Sequence, residues 1–191
     1  RRIMARINAG EFGKVLRGRV ITYKFRESIG KRSAPLPIPP EIDYDLWCGP
    51  AKTDDLYRNE FHYDWHWMWN TGNGELANNG SHMLDLVRWG LGQPRLAPAV
   101  AMLGGRFVWD DAGETPNTVV AYFDYQPAPL IAEIRNLPEK PGGDDGGTFM
   151  GQRHGFVIEC ADATIAGGNY FEVRDRDGKV VEKEEEKEGN L

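Results

Sequence analysis

One stretch of the sequence places chemically reactive residues at the spacing of a helix. Between Gly74 and Gly92 four of them recur at i, i+4, i+7 and i+11, which brings side chains to one helix face: Asn78, His82, Asp85 and Trp89. Histidine changes charge near neutral pH, so His82 beside Asp85 could exchange a proton with a substrate. His82 beside Asp85 is also typical of a purely structural contact, and the spacing alone favours this structural interpretation.

The segment that precedes this helix is rich in tryptophan. Trp65, Trp67 and Trp69 alternate with His66 and Met68, as in a half-buried strand, and core filling is the simplest interpretation. A second interpretation is a sugar-binding platform, in which aromatic rings stack on the C–H face of a sugar while histidine and aspartate bind its hydroxyls.

A third interpretation of the same segment is a metal site. His62 and His66 are four residues apart, His82 could be the third ligand, and three imidazoles suit zinc. This interpretation is the least favoured, because the spacing shows no general base beside such a metal. We therefore predict no metal ligand in the chain, and place His62, Trp65, His66 and Asp85 among the substrate-binding residues.

Polar and basic residues end the first predicted strand, in the run Tyr23-Lys24-Phe25-Arg26. Such groups could bind hydroxyls or a carboxylate, or could simply be solvated charges at a strand end. We expect a single cleft lined by His66, Asn78 and His82, with Tyr23, Lys24 and Arg26 at its rim.

The sequence contains no dinucleotide-binding fingerprint. No Gly-x-Gly-x-x-Gly stands between a strand and a helix, and Gly72-Asn73-Gly74 lacks the third glycine. No cofactor-binding residue is therefore predicted in this chain.

Composition limits the remaining possibilities. The 191 residues suffice for one domain with a core, and a net charge of −6 without clustered basic residues argues against a nucleic-acid partner. No apolar run has the length of a membrane span, so no membrane partner is expected. Cys48 and Cys160 have no metal-type spacing and are expected to be buried free thiols. The sequence leaves the location of the protein unknown and favours the cytoplasm over export.

The hydrophobic pattern predicts one main helix followed by strands. We predict a short helix over Arg1–Asn8, a strand from Val15 to about Phe25, a proline-rich loop over Ser33–Pro40, a helical turn within Asp43–Gly49 and the long helix Gly74–Gly92. Strands are predicted at Ala99–Val108, Thr118–Tyr125, Leu130–Arg135, Phe156–Cys160, Thr164–Ala166, Tyr170–Arg174 and Lys179–Glu182. This order favours an α+β domain with an open, mostly antiparallel twisted sheet and helices on one face.

Several motifs in order resemble the C-terminal half of the Gfo/Idh/MocA oxidoreductases, the glucose–fructose oxidoreductase and inositol dehydrogenase family. The motifs are Gly13-Lys14-Val15, Tyr44-Asp45-Leu46-Trp47-Cys48-Gly49-Pro50, the Phe61–Gly74 aromatic block, Gly80-Ser81-His82-Met83-Leu84-Asp85 with Trp89, and Glu114-Thr115-Pro116-Asn117-Thr118. The resemblance covers roughly residues 1 to 182.

The resemblance implies a sugar, polyol or derivative as substrate, NAD or NADP bound by an N-terminal Rossmann domain that is missing here, and a homo-oligomer formed through the sheet face. In the family a Rossmann-domain lysine works with a helical Asp-x-x-x-His, which aligns here with Asn78 and His82. Asn78 cannot ionise, so of the expected acid–base set this chain keeps His82 alone. Alternatives are an NAD-assisted glycosidase or epimerase of the same family, and a non-catalytic sugar-binding or scaffold module.

The resemblance also implies a division of the chain. Residues 1–13 are expected to be the remnant of an upstream helix and domain junction, 14–182 the substrate-binding domain, and 183–191 a charged tail. The isolated chain is expected to be inactive, whereas the full-length protein is expected to be an enzyme.

Overall fold

The computed structural model describes residues 2–168 and 170–185. Eight strands form one sheet in the order β2-β3-β4-β1-β5-β6-β7-β8. The strands are β1 Val15–Thr22, β2 Val100–Gly105, β3 Thr118–Phe123, β4 Leu130–Arg135, β5 His154–Cys160, β6 Thr164–Gly167, β7 Tyr170–Arg174 and β8 Val180–Glu185. β1 and β4 are parallel and the other neighbouring pairs are antiparallel. The predicted open, mostly antiparallel α+β architecture is confirmed.

The helical elements are α1 Arg2–Asn8, α2 Tyr44–Cys48, a 3₁₀ turn Tyr63–Trp67, a π-helical turn Leu76–Gly80 and α3 Ser81–Gly90. Of these, α3 and the π-helical turn pack on one face of the sheet, and α1 packs against α3. The main core lies between α3 and the sheet, where Val87 is fully buried and Leu76, Met83 and Leu84 pack against the buried cluster. A Cβ atom at Gly18 of β1 would overlap Val87 and Leu91, so glycine is what allows the helix to approach the strand this closely.

The first helix has its packing partner within this chain. Ile3, Met4 and Ile7 are buried in the main core, and α1 contacts α3. Arg6 also pairs with Glu182 of β8, with Nη1 2.7 Å from Oε1. The apolar stripe of α1 therefore completes the core at this end of the sheet.

The tryptophan segment does not form the strand that its alternation predicted. Local hydrogen bonds fold it into a turn: the Thr71 hydroxyl donates to the Trp65 carbonyl at 2.6 Å and the Gly72 amide donates to the Met68 carbonyl at 2.8 Å. Because the segment pairs with itself rather than with another strand, burial does not alternate. His66 and Trp67 are buried, whereas Trp65 and Trp69 are exposed.

The predicted helix over Gly74–Gly92 is interrupted by a π-helical turn before α3 begins. A π turn contains an additional residue, so the relation between Asn78 and His82 is not that of one regular α-helical turn. His82, Asp85 and Trp89 do share the exposed face of α3. Asn78 instead points to buried partners.

The sheet face without helices is only partly open. Ile21, Tyr23, Val157 and Ala166 form a second buried cluster there, against which Phe149 and Met150 pack. At the other end of the same face, on β2 and β3, large apolar side chains remain exposed: Leu103, Val120 and Tyr122.

Strand β8 ends at Glu185 and therefore extends into the predicted charged tail, residues 183–191. Residues 186–191 of that prediction lie outside the described part of the chain. No helix within the described ranges is long and apolar enough to cross a membrane.

Candidate functional site

A buried carboxylate organises the polar residues at the start of the long helix. Glu75 is 0% exposed, and Arg26 donates to its Oε1 from Nε at 2.6 Å. The Asn78 amide lies 3.4 Å from the same oxygen, and the Asn79 amide donates to Oε2. We call the set Arg26, His66, Glu75, Asn78 and Asn79 the Glu75 cluster. Pairing with a cation and amides is what makes burial of this charge tolerable.

The position of Arg26 is fixed from several directions. Its backbone amide donates to the Asn136 carbonyl at 2.9 Å, and its own carbonyl accepts from the Trp109 indole at 3.3 Å. Its guanidinium also lies over the Tyr63 ring, 5.4 Å from the centroid. Arg26 is therefore engaged in the Glu75 cluster rather than free at a rim.

His66 is a buried member of the Glu75 cluster. Its side chain is buried, with Nδ1 3.2 Å from the Tyr63 carbonyl and Nε2 3.8 Å from the Glu75 carboxylate. Burial lowers the pKa of His66, against the opposing charge of Glu75, so the ring is neutral at neutral pH. Nε2 has no hydrogen-bond partner among the described residues. The prediction that His66 lines an open cleft is wrong, because the aromatic turn covers it.

Lys24 joins the cluster through a single amide. Asn79 donates from its nitrogen to Glu75 and accepts at its oxygen from the Lys24 ammonium at 3.3 Å. The carboxylate therefore fixes which end of the Asn79 amide faces Lys24. Because Lys24 is a cation whose neighbouring acid is already paired, it can bind an oxygen of a ligand.

A histidine from the sheet adds to this group. His154 stands opposite Thr22 in the β1–β5 register, and its Nδ1 lies 3.1 Å from the Thr22 hydroxyl. Burial lowers the pKa of His154, and the positive charge of Lys24 lowers it further, against the opposing charge of Glu75. Residues from β1, the helix and β5 thus form one electrostatic neighbourhood.

Sequence reasoning missed Glu75, Asn79 and His154. Glu75 could have been found, because an acid in the first turn of a predicted helix after Gly74 is a recognisable feature. His154 gave no such signal, because its closeness to Lys24 depends on pairing between strands that are far apart in sequence.

The other predicted residues are distributed around the cluster. His82 is exposed on α3, with no side-chain hydrogen bond among the described residues. Asp85 lines a separate cavity of about 450 Å³ and lies 3.9 Å from Arg88. Trp65 lines another of about 430 Å³ together with Trp47. His62 is exposed at the start of the 3₁₀ turn.

Tyr23 lies on the opposite face of the sheet from Lys24. Successive side chains of a strand point to opposite faces, so Tyr23 is buried in the second cluster under Phe149 and Met150. The Arg135 guanidinium lies over its ring, 4.2 Å from the centroid. Burial, followed by a hydrogen bond to Glu133, raises the pKa of Tyr23. Its predicted place at the rim beside Lys24 and Arg26 is therefore wrong.

A metal centre has no basis in this geometry. Across residues 2–168 and 170–185, no three histidine, cysteine, aspartate or glutamate side chains are grouped so as to hold an ion. His66 is buried while His62 and His82 are exposed, so the three imidazoles that suited zinc by spacing differ in their surroundings.

The fold is that of a C-terminal α/β domain found in an oxidoreductase family. A model of the oxidoreductase family C-terminal alpha/beta domain matches residues 13–126, which is more than half of the chain. The chain therefore belongs to the Gfo/Idh/MocA oxidoreductase family and corresponds to its C-terminal domain. No curated protein sequence matches it.

Solved structures share the fold at low sequence identity. The WlbA dehydrogenase from Bordetella pertussis, in complex with NADH and UDP-GlcNAcA, is 17% identical with a TM-score of 0.54, over 96% of this chain and 41% of that one. An inositol dehydrogenase homologue from Azotobacter vinelandii, complexed with NADH and myo-inositol, is 16% identical with a TM-score of 0.52, over 95% and 38%. A super-repressor mutant of Gal80p from Saccharomyces cerevisiae is 10% identical with a TM-score of 0.56, over 99% and 44%. The chain thus spans less than half the length of these proteins.

Proposed function

We propose that this chain is the substrate-binding half of an NAD(P)-dependent oxidoreductase that acts on a sugar, polyol or derivative. The observation that carries the proposal is the bond of Lys24 to Asn79 of the Glu75 cluster, with His82 and His154 within electrostatic reach of this group. Such a group offers one cation and two imidazoles to substrate hydroxyls, and proton transfer from a hydroxyl is what alcohol oxidation requires of the protein. The complexes of the WlbA dehydrogenase and the inositol dehydrogenase homologue support the choice of substrate class.

The cofactor does not fit the residues present in this chain. A dinucleotide pyrophosphate is bound by backbone amides at a helix N-terminus, where an anion is favoured. Here the first turn of the long helix already holds the buried Glu75 carboxylate, which would repel a pyrophosphate. We therefore assign NAD(P), which would supply the hydride acceptor, to a separate dinucleotide-binding domain.

The residues of this chain would bind the substrate and handle its proton. Lys24 and Asn78 would donate hydrogen bonds to substrate oxygens, and the exposed imidazole of His82 would exchange a proton with a hydroxyl. Arg26 and Glu75 would hold the amides in place without touching the substrate. His62, Trp65 and Asp85, which face other surfaces, would contribute only to a substrate that extends beyond the reacting sugar.

A silent sugar-binding module is the second candidate, because Asn78 cannot ionise and so cannot relay a proton. An NAD-assisted glycosidase or epimerase differs from a simple dehydrogenase in that reduced cofactor does not accumulate. Product analysis by chromatography together with nicotinamide absorbance separates these three outcomes.

We also propose that the protein is a homo-oligomer. The exposed apolar side chains of Leu103, Val120 and Tyr122 lie on the sheet face that has no helix, and contiguous apolar surface of this kind usually marks a protein interface. A second copy of the same sheet is the partner that the proposal assigns to it.

The proposed function is tested by replacing His82 in the intact protein. His82→Ala should lower turnover of the preferred sugar or polyol by on the order of a hundredfold or more. A partly exposed position elsewhere on α3, to which the proposal gives no role, provides the control, and Arg88→Gln should leave turnover within about twofold. Unchanged turnover in His82→Ala would remove this residue from the mechanism, and a protein that turns over no sugar, polyol or glycoside would favour the silent module.

A further inference from the structure

We infer that His154 is a second catalytic imidazole, which accepts the proton of a substrate hydroxyl at its Nε2 atom. The inference rests on the proposed function and adds to it a residue that the sequence motifs did not point to. His154 would supply an ionisable side chain, which the amide of Asn78 is not.

The strand holds this imidazole in a defined orientation. His154 begins β5 in register with Thr22 of β1, and Thr22 is fully buried. The hydroxyl of Thr22 lies 3.1 Å from Nδ1, so it can accept the proton of that nitrogen and leave Nε2 as the acceptor. Among the described residues Nε2 has no hydrogen-bond partner, and the side chain is half-buried rather than enclosed. A general base that is held at one nitrogen and open at the other is arranged for proton transfer.

His154 lies on the side of the sheet that carries the candidate site. Gly18 faces α3, and because side chains alternate along a strand, Thr22 and Lys24 face the same side. Lys24 reaches Asn79 of the long helix, so the imidazole paired with Thr22 is close to the same helix. The geometry therefore places His154 on the same side of the sheet as the amides and the ammonium that would bind substrate oxygens.

The surrounding charges favour the neutral ring. Among the described residues, the groups whose charge acts on the pKa of His154 are Lys24 beyond β1, Glu75 in the first helical turn and His82 on α3. Burial has the largest effect and lowers the pKa of His154, and the two basic neighbours act in the same direction while Glu75 opposes them. A neutral imidazole at neutral pH can accept a proton, which a histidinium cannot.

The step balances as a proton transfer. The hydroxyl O–H bond breaks, an N–H bond forms at Nε2, and the imidazolium keeps its Nδ1 proton toward Thr22. The proton then passes to solvent, which restores the neutral ring. The oxidant for the carbon is the oxidised nicotinamide of the proposed function, and His154 handles the proton alone.

The protonation state of the His154 ring can be measured on the intact protein without an activity assay. Diethyl pyrocarbonate modifies neutral imidazoles, so the rate of modification of His154 against pH, mapped by peptide mass spectrometry, gives its titration midpoint. We expect a midpoint below about 6.5, the value of an unperturbed imidazole. Lys24→Met should raise that midpoint, because it removes a positive neighbour. A midpoint at or above 6.5, or one that Lys24→Met leaves in place, would overturn the inference.

Turnover provides the second measurement. His154→Gln should lower kcat/KM by on the order of a hundredfold and remove the acidic limb of its pH profile. Glutamine can still bond the Thr22 hydroxyl, and matched circular dichroism melts would confirm that the fold is kept. The control is Arg153→Gln, since Arg153 is exposed and pairs with Asp145, and it should keep kcat/KM within about twofold. A wild type that oxidises no sugar, polyol or derivative defeats the proposed function, whereas an active wild type with an equally active His154→Gln defeats only this inference.

Discussion

The buried carboxylate of Glu75, in the first turn of the long helix, forms an ion pair at 2.6 Å with the partly buried guanidinium of Arg26. Glu75 is fully enclosed, and the amides of Asn78 and Asn79 occupy its remaining acceptor positions. The pair therefore connects the end of β1 to the start of the helix, and it fixes the side chains that carry the candidate site.

Removing one partner of this pair should be costly. Arg26→Met leaves the Glu75 carboxylate buried without its cation, and breaking a buried pair in this way destabilises a protein by about 3–5 kcal/mol. The double variant Arg26→Met/Glu75→Gln should recover part of that loss, because no buried charge remains. Urea unfolding of the two variants measures both effects. Equal free energies of unfolding for the single and the double variant would show that the Glu75 carboxylate reaches water.

A second buried pair predicts how stability depends on pH. Asp111 is enclosed, and Arg106 donates to its two oxygens at 2.6 and 2.7 Å. Burial by itself would raise the pKa of Asp111, but the bonds from Arg106 and from the backbone amides of Ile29 and Gly113 outweigh it and lower the pKa below 3.8. A carboxyl with a lowered folded-state pKa stabilises the fold above its unfolded-state pKa, and this contribution is lost as pH falls through the folded-state value.

Asp111→Asn should therefore lower the free energy of unfolding by about 3 kcal/mol at pH 7 and by progressively less below about pH 4. The neighbouring Asp110 is the matched control, because it is exposed and pairs with the exposed Lys31. Asp110→Asn should change stability by less than about 0.5 kcal/mol. Urea titrations at several pH values test this, and a difference that persists unchanged at low pH would contradict the assigned cause.

The open sheet face predicts the state of association. Leu103 is 82% exposed and stands opposite Val120 on the helix-free side. We expect the protein to be oligomeric at tens of micromolar, a concentration at which an interface of ordinary stability is formed. Leu103→Lys should shift it to monomer, whereas Leu46→Lys, at an exposed leucine on α2, should not. Light scattering distinguishes these outcomes, and a monomeric wild type would refute the proposed interface.

The sequence was sufficient to predict the elements of the fold in which a local residue pattern repeats. The strands β4 and β7 have the predicted bounds, because alternation and turn residues determine both ends. The tryptophan segment was predicted wrongly, because alternation does not distinguish a strand from a turn that is closed by its own hydrogen bonds. At the candidate site, Asn78 and Lys24 were predicted from their types and positions, and they lie in the Glu75 cluster and next to it. His154 was not, because its role depends on strand pairing, and Tyr23 was misplaced, because the face of a strand depends on what covers it.

We expect the chain itself to bind a nicotinamide cofactor weakly or not at all. Glu75 holds a negative charge at the helix start, where a pyrophosphate would need positive potential, and the sequence offers no glycine-rich strand-to-helix turn. Calorimetric titration of the 191-residue chain with NAD⁺ or NADP⁺ should therefore show binding no tighter than about 1 mM, or roughly 4 kcal/mol.

Glu75→Gln controls for simple repulsion, because it removes the negative charge while keeping the side-chain shape. If repulsion alone prevented binding, this variant would gain affinity. We expect it to remain without measurable affinity, since the glycine-rich turn is still missing and the Asn78 and Asn79 amides still crowd the helix start. Binding of either dinucleotide by the unmodified chain in the micromolar range would show that the cofactor site lies in this domain, and it would overturn the assignment of NAD(P) to a separate one.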